Sequence, residues 1–161
     1  MIILGIDPGT ATTGYGIIRK IHNKLELIDY GHISTSPQNS TSERLVELEK
    51  QLTKIIKKYK PEQVAVEDIF FFKNLKTAVK VSQARGVILA TIERKKLPVY
   101  EYTPLQIKQA VASYGRADKN QVQQMTKLLL NLKEIPKPDD AADALAASIC
   151  CAHSIKYNKK P

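Results

Sequence analysis

The sequence predicts an α/β fold, a five-stranded mixed sheet with helices on both faces. Three observations carry this. Three short apolar segments follow one another within the first 33 residues, close enough to be antiparallel neighbours. Two later apolar segments are each preceded by a stretch of helical period, the alternation that gives parallel pairing. The remaining periodic stretches are helical, which supplies cover for the sheet.

The elements follow in order. Residues 2–7 are an apolar run closed by Pro8-Gly9, a strand entering a turn. Residues 15–20 and 25–33 are the next two strands, with 21–24 as a hairpin connection. A polar loop, 34–41, leads to Ser40 and Glu43, spaced as a capping box. Leu45, Leu48, Leu52, Ile55 and Tyr59 then recur at helical spacing, so 42–59 is an amphipathic helix. Pro61 separates it from a buried-type strand at 63–68. Asn74 is placed to cap a helix running to about Lys95, and 98–102 is the fifth strand. Thr103-Pro104 reads as an N-cap with Pro at the first helical position, so a helix runs on from Leu105 towards Ser113, and Gly115 breaks it. Asp118 and Gln121 form another capping box before Val122, Met125, Leu129 and Leu132. Pro136 and Pro138 punctuate, and 139–153 is an Ala-rich last helix.

The 161 residues make one domain over 1–155, followed by a polar tail at 156–161. A hydrophobic content of 43% supports a packed core and excludes a disordered chain. No apolar run approaches the roughly 20 residues that span a bilayer, and the N-terminus reads as a strand rather than a signal peptide. The two cysteines, Cys150 and Cys151, are adjacent and lack a ligand pattern, so they are expected as packing residues in a reducing cytoplasm. Lys plus Arg total 25 against 16 for Asp plus Glu, a net charge of +9. That excess points to a polyanion, nucleic acid or an anionic surface.

Against this basic background four carboxylates stand out. Asp7 ends the first strand and Glu67 the fourth, while Asp140 and Asp143 share one face of the last helix. Singly each has an ordinary reading, a turn former or a helix N-terminal residue. Jointly they make a cluster that repels itself without a cation. Hard divalent ions prefer such oxygen ligands, and a pair of them serves phosphodiester hydrolysis. Lys119 follows the cap Asp118 at a helix start, where a phosphate would be stabilised. Phe70, Phe71 and Phe72 cannot all point into one core from a strand, so at least one is expected near the acidic site, able to stack on an unpaired base. Ala84, Gly86 and Ala90 permit close contact of their helix with the sheet or with another subunit.

The stretches MIILGIDPGTATTGYGII, VAVEDIFFFKN, SQARGVILA, LQIKQAVASYGRADKNQV and DDAADALAASICCAH follow one another over nearly the whole length. In these stretches and their order the chain resembles the RuvC family of Holliday-junction resolvases. The resemblance implies a ribonuclease-H-like fold and a homodimer that cuts four-way DNA junctions in recombination and repair. It implies two Mg²⁺ per subunit, with Mn²⁺ able to substitute, and RuvA and RuvB as branch-migration partners. The family's four acidic positions fall on Asp7, Glu67, Asp140 and Asp143. Some relatives carry His at the third, where this chain keeps Asp140. The resemblance also assigns DNA-binding or catalytic roles to Lys119, Lys108 and Phe70.

Three other readings fit parts of the sequence. Asp-x-Gly-Thr near an N-terminal hairpin also occurs in actin-like ATPases and sugar kinases, but those need a second lobe for which this chain is too short. A short nuclease family that processes ribosomal RNA shares the fold, and the VEDIFFFKN and SYGRADKNQV blocks argue against it. A junction-binding protein without activity is disfavoured because all four carboxylates are present.

Overall fold

A computed structural model of the chain describes residues 1–9, 11–68 and 75–155. Its elements are β1 (Ile2–Asp7), β2 (Thr12–Ile21), β3 (Lys24–Ser34), α1 (Thr41–Tyr59), β4 (Gln63–Glu67), α2 (Leu75–Arg94), β5 (Val99–Tyr102), α3 (Pro104–Ala112), α4 (Lys119–Leu129) and α5 (Asp139–Ser154). The strands form one sheet in the order β3-β2-β1-β4-β5. β1, β2 and β3 are antiparallel neighbours joined by tight connections, whereas β4 and β5 run parallel to β1 after helical crossovers. The mixed sheet read from the sequence is therefore the sheet observed.

Alternation along the strands sorts side chains to two apolar layers. Leu4, Ile6, Ile17, Val64 and Val66 pack with Leu48, Leu52 and Ile56 of α1 and Ala84, Ile88 and Ile92 of α2. Ile3, Ile18 and Ala65 pack with α3, α4 and α5, through residues such as Ile107, Val122, Leu145 and Ile149. Helices thus cover both faces. The same parity sends Asp7 and Glu67 to the α5 face, because they follow Gly5 and Ala65 by two residues.

α5 lies unusually close to the sheet because both surfaces are small. Its buried positions include Ala141, Ala144, Ala147 and Ser148. A Cβ added at Gly5 would sit 1.9 Å from the Ala144 carbonyl oxygen, and one at Gly14 would sit 1.9 Å from that of Asp140. Two residues of β2 hold the helix at its ends. The Thr12 hydroxyl donates to Asp140 Oδ2 at 2.5 Å. Lys20 Nζ donates to the carbonyls of Ala152 and Ile155, capping the C-terminal end with a positive charge.

Three capping boxes are present where the sequence placed or half-placed them. Ser40–Glu43, Thr103–Gln106 and Asp118–Gln121 each satisfy two orphan backbone donors reciprocally. Some boundaries differ. β2 begins at Thr12 rather than Tyr15, because the polar Thr12 and Thr13 pair with Ser34 and Ile33. α3 closes where expected, at the cap Ser113, but the left-handed residue there is Ser113 itself, with a φ of 56°, so Gly115 does not make the break. α4 stops at Leu129, and Leu132 packs from beyond it. Cys150 and Cys151 are buried free thiols, as expected. Asn74, Phe70, Phe71, Phe72 and the tail 156–161 lie outside the described residues.

Candidate active site

The register of β1 and β4 decides where the first two carboxylates meet. Ile6 pairs with Val66, so the next residue of each strand, Asp7 and Glu67, stand side by side at the C-terminal edge of the sheet. α5 crosses the same face with its N-terminal turn over Gly14, the residue paired with Asp7. Asp140 and Asp143 therefore arrive at that edge from above. Strand ends and a helix start meeting at one edge is where sites gather in such sheets.

The electrostatics show four negative groups held together without a counter-charge of equal size. Burial pushes the Asp7 carboxyl up to about 8, helped by the neighbouring charges of Glu67, Asp143 and Asp140. Burial and Asp143 push Glu67 up to about 7. Asp143 is raised by burial too, with Lys119 opposing the rise. Among the described residues no three such side chains already enclose one ion-sized position. Asp140 instead accepts from Thr12, and Asp143 pairs with Lys119. An all-oxygen donor set that is buried, mutually repulsive and partly neutralised by protonation is what a hard divalent cation would relieve. The residues present fit such an ion.

Two lysines border the carboxylates. Lys119, the first residue of α4, lies 3.3 Å from Asp143 and 3.0 Å from Asp139. Lys108 of α3 lines the same cleft as Glu67, Lys119 and Asp143, and its charge lowers the Glu67 proton affinity.

Comparison with known proteins places the fold. The family described as crossover junction endodeoxyribonuclease RuvC matches residues 3–151. The chain belongs to the RuvC family. A crossover junction endodeoxyribonuclease RuvC of Halothermothrix orenii is 57% identical over 160 residues, covering 99% of this chain and 97% of that one. One from Desulfitobacterium hafniense is 57% identical over 155 residues, covering 96% and 94%. The solved structure titled T. thermophilus RuvC in complex with Holliday junction substrate aligns with a TM-score of 0.89 at 38% identity, covering 95% of this chain and 93% of that one. Membership in the RuvC family makes the chain an α/β hydrolytic endonuclease of ribonuclease-H-like fold, a class that uses divalent metal.

Each carboxylate singled out in the sequence reaches this edge, as do Lys119 and Lys108. Sequence reasoning missed three contributors. Thr12 holds Asp140, Asp139 shares Lys119 and also accepts from Gln123 Nε2 at 3.2 Å, and Gly14 makes room for the helix. The glycines carried a signal, since Gly14 and Gly16 alternate in one strand, where glycine marks close backbone approach.

Proposed function

We propose that this chain resolves four-way DNA junctions by paired phosphodiester hydrolysis in recombination and repair, with Asp7, Glu67, Asp140 and Asp143 as the metal ligands. The convergence of four carboxylates on one sheet edge of a +9 protein carries the reading. The ions are Mg²⁺, two per subunit, with Mn²⁺ able to substitute. When bound, they supply an activated water and a counter-charge for the leaving oxygen.

The chain's own residues do the rest. Asp7 and Glu67 fix one side of the site from the rigid sheet, while Asp140 and Asp143 close it from α5. Thr12 orients the Asp140 carboxylate. Lys119 opposes the rise that burial imposes on the Asp143 carboxyl and offers positive charge at the start of α4, where a phosphate oxygen would also meet backbone N–H groups. Lys108 extends the positive wall for DNA. Phe70, three residues past Glu67, stacks on a base at the junction centre.

The functional unit is a homodimer, because a four-way junction has approximate two-fold symmetry and needs two matched cuts. The exposed side of α2 suits a second copy: Val79 is 58% exposed, and a Cβ at Gly86 would meet open space. RuvA and RuvB are the partners that bring the junction. The work is cytoplasmic; among the described residues no helix is long and apolar enough to cross a membrane.

One gel tests the reading. Labelled four-way junction, linear duplex and structured RNA are each incubated with Mg²⁺ or EDTA. Symmetric nicks are expected in the junction alone, and only with Mg²⁺. Cutting at full rate in EDTA would overturn the metal assignment, and equal cutting of linear duplex would overturn the substrate.

A further inference from the structure

The opposite face of the same sheet edge carries a second polar cavity. On β2, Thr12 points to the α5 face and touches Asp140. Its neighbour Thr13 points the other way and is 2% exposed. There it lines a cavity with Gly9 of the β1–β2 turn, Thr35 after β3, Thr41 and Arg44 of α1, and Lys80 of α2. Ile33, Leu45 and Leu48 give it an apolar floor.

The lining has a definite sign. It combines a guanidinium, an ammonium and three hydroxyls, and no described lining residue is acidic. Arg44 Nε donates to Thr35 Oγ1 at 2.8 Å, which anchors the guanidinium at the wall. Thr41 opens α1, a 19-residue helix whose positive end is turned to the cavity. Thr13 Oγ1 donates to the Gly9 carbonyl at 3.1 Å, so the turn that follows Asp7 is tied to the cavity wall. An apolar floor excludes water and strengthens each of these polar groups toward an anion.

We infer that this cavity binds a backbone phosphodiester of the DNA substrate, on a nucleotide other than the one being cut. The inference rests on the junction-cutting reading and adds to it a second hold on the same strand. Arg44 and Lys80 supply the charge and Thr41 a hydroxyl donor, while Thr13 and Thr35 hold the wall in place. A phosphate held here would fix the strand against the Gly9–Thr13 turn, two residues from Asp7, and so set which phosphodiester lies over the carboxylates. Arg44 and Lys80 are positioning residues in this scheme.

The test uses the full chain in EDTA, so that no cutting occurs. Four-way junctions carrying one neutral methylphosphonate at each phosphate near the crossover are titrated with wild type, Arg44→Gln and Lys80→Gln. At one position the neutral group is expected to weaken wild-type binding about tenfold, yet to weaken neither variant further. Each variant is also expected to lower the slope of log affinity against log salt by about one. Because Arg44 braces Thr35, its variant could lose structure; Lys80 is exposed on α2, and its variant reads the same phosphate without that risk. If every sensitive position loses equally in wild type and Lys80→Gln, and the salt slope is unchanged, the cavity holds no phosphate. Wild-type affinity equal for linear duplex and junction would overturn the junction reading instead, while the coupling between cavity and phosphate is still read, variant against wild type, on either DNA.

Discussion

Asp7→Asn is expected to cut four-way junctions slower by a factor on the order of 10³ or more, and to melt at a higher temperature than wild type in EDTA at pH 8. Asn keeps the shape and removes the charge that burial and three neighbouring carboxylates penalise. The Asp7 carboxyl is raised to about 8 in the folded chain, against an ordinary value near 3.8 when unfolded. The unfolded chain therefore releases this proton first. Its contribution to stability is complete below about pH 4 and is lost as pH rises toward 8. Glu67, raised to about 7, acts in the same direction. The advantage of the Asn variant should be small near pH 4 and largest at pH 8, with each kcal/mol worth roughly 2–4 °C at this chain length. Mg²⁺ should stabilise wild type and leave the variant nearly unmoved. Melting curves at the two pH values, with EDTA and with Mg²⁺, decide it. A variant that melts lower than wild type at pH 8 in EDTA would mean that Asp7 is satisfied by the fold and not strained by it.

Gly14→Ala is expected to cost activity out of proportion to its size. The added methyl would lie 1.9 Å from the Asp140 carbonyl oxygen, which is backbone and cannot swing aside. α5 must lift at its N-terminal turn, taking Asp140 and Asp143 with it. Overpacking of this kind costs about 1–3 kcal/mol of stability. A displacement of about 1 Å at a reacting centre costs on the order of 100-fold in rate. Denaturant titration and single-turnover cutting measure the two losses separately. Full activity in a folded Gly14→Ala protein would mean that the seat of α5 does not set the geometry of the carboxylates. Gly86→Ala is the contrast, since its methyl would meet open space within this chain.

The difference between these two glycines explains what could and could not be read in advance. Ser40–Glu43 and Asp118–Gln121 were legible because a capping box is complete within four residues. Asp7 and Glu67 were legible because an acid ending an apolar strand is costly wherever the strand goes. Thr12 and Asp139 were not, because their roles depend on which helix lands on β2 and which lysine comes beside it, and Gly14 announced only that some backbone comes close. The register that sets Asp7 beside Glu67 likewise arises from a parallel pairing about 60 residues apart in the chain, which no local pattern encodes. The end of α3 near Ser113 was legible, but its cause was not: the left-handed residue that closes the helix is Ser113 and not the glycine two residues on.

The two tethers from β2 to α5 also constrain how the chain can change in length. Thr12 and Lys20 sit eight residues apart on a strand that advances roughly 3.4 Å per residue, while α5 advances about 1.5 Å per residue beneath them. The two rulers agree only in their present phase. Inserting or deleting one residue within α5 would turn everything beyond it by about 100°. Either Asp140 and Asp143 would leave the sheet edge, or the capped end would leave Lys20. The connections at 35–40 and 130–138 carry no such phase. Insertions and deletions in related chains should therefore gather there and be absent from β2 and α5, since one strand residue and one helix residue advance by different lengths and cannot offset each other.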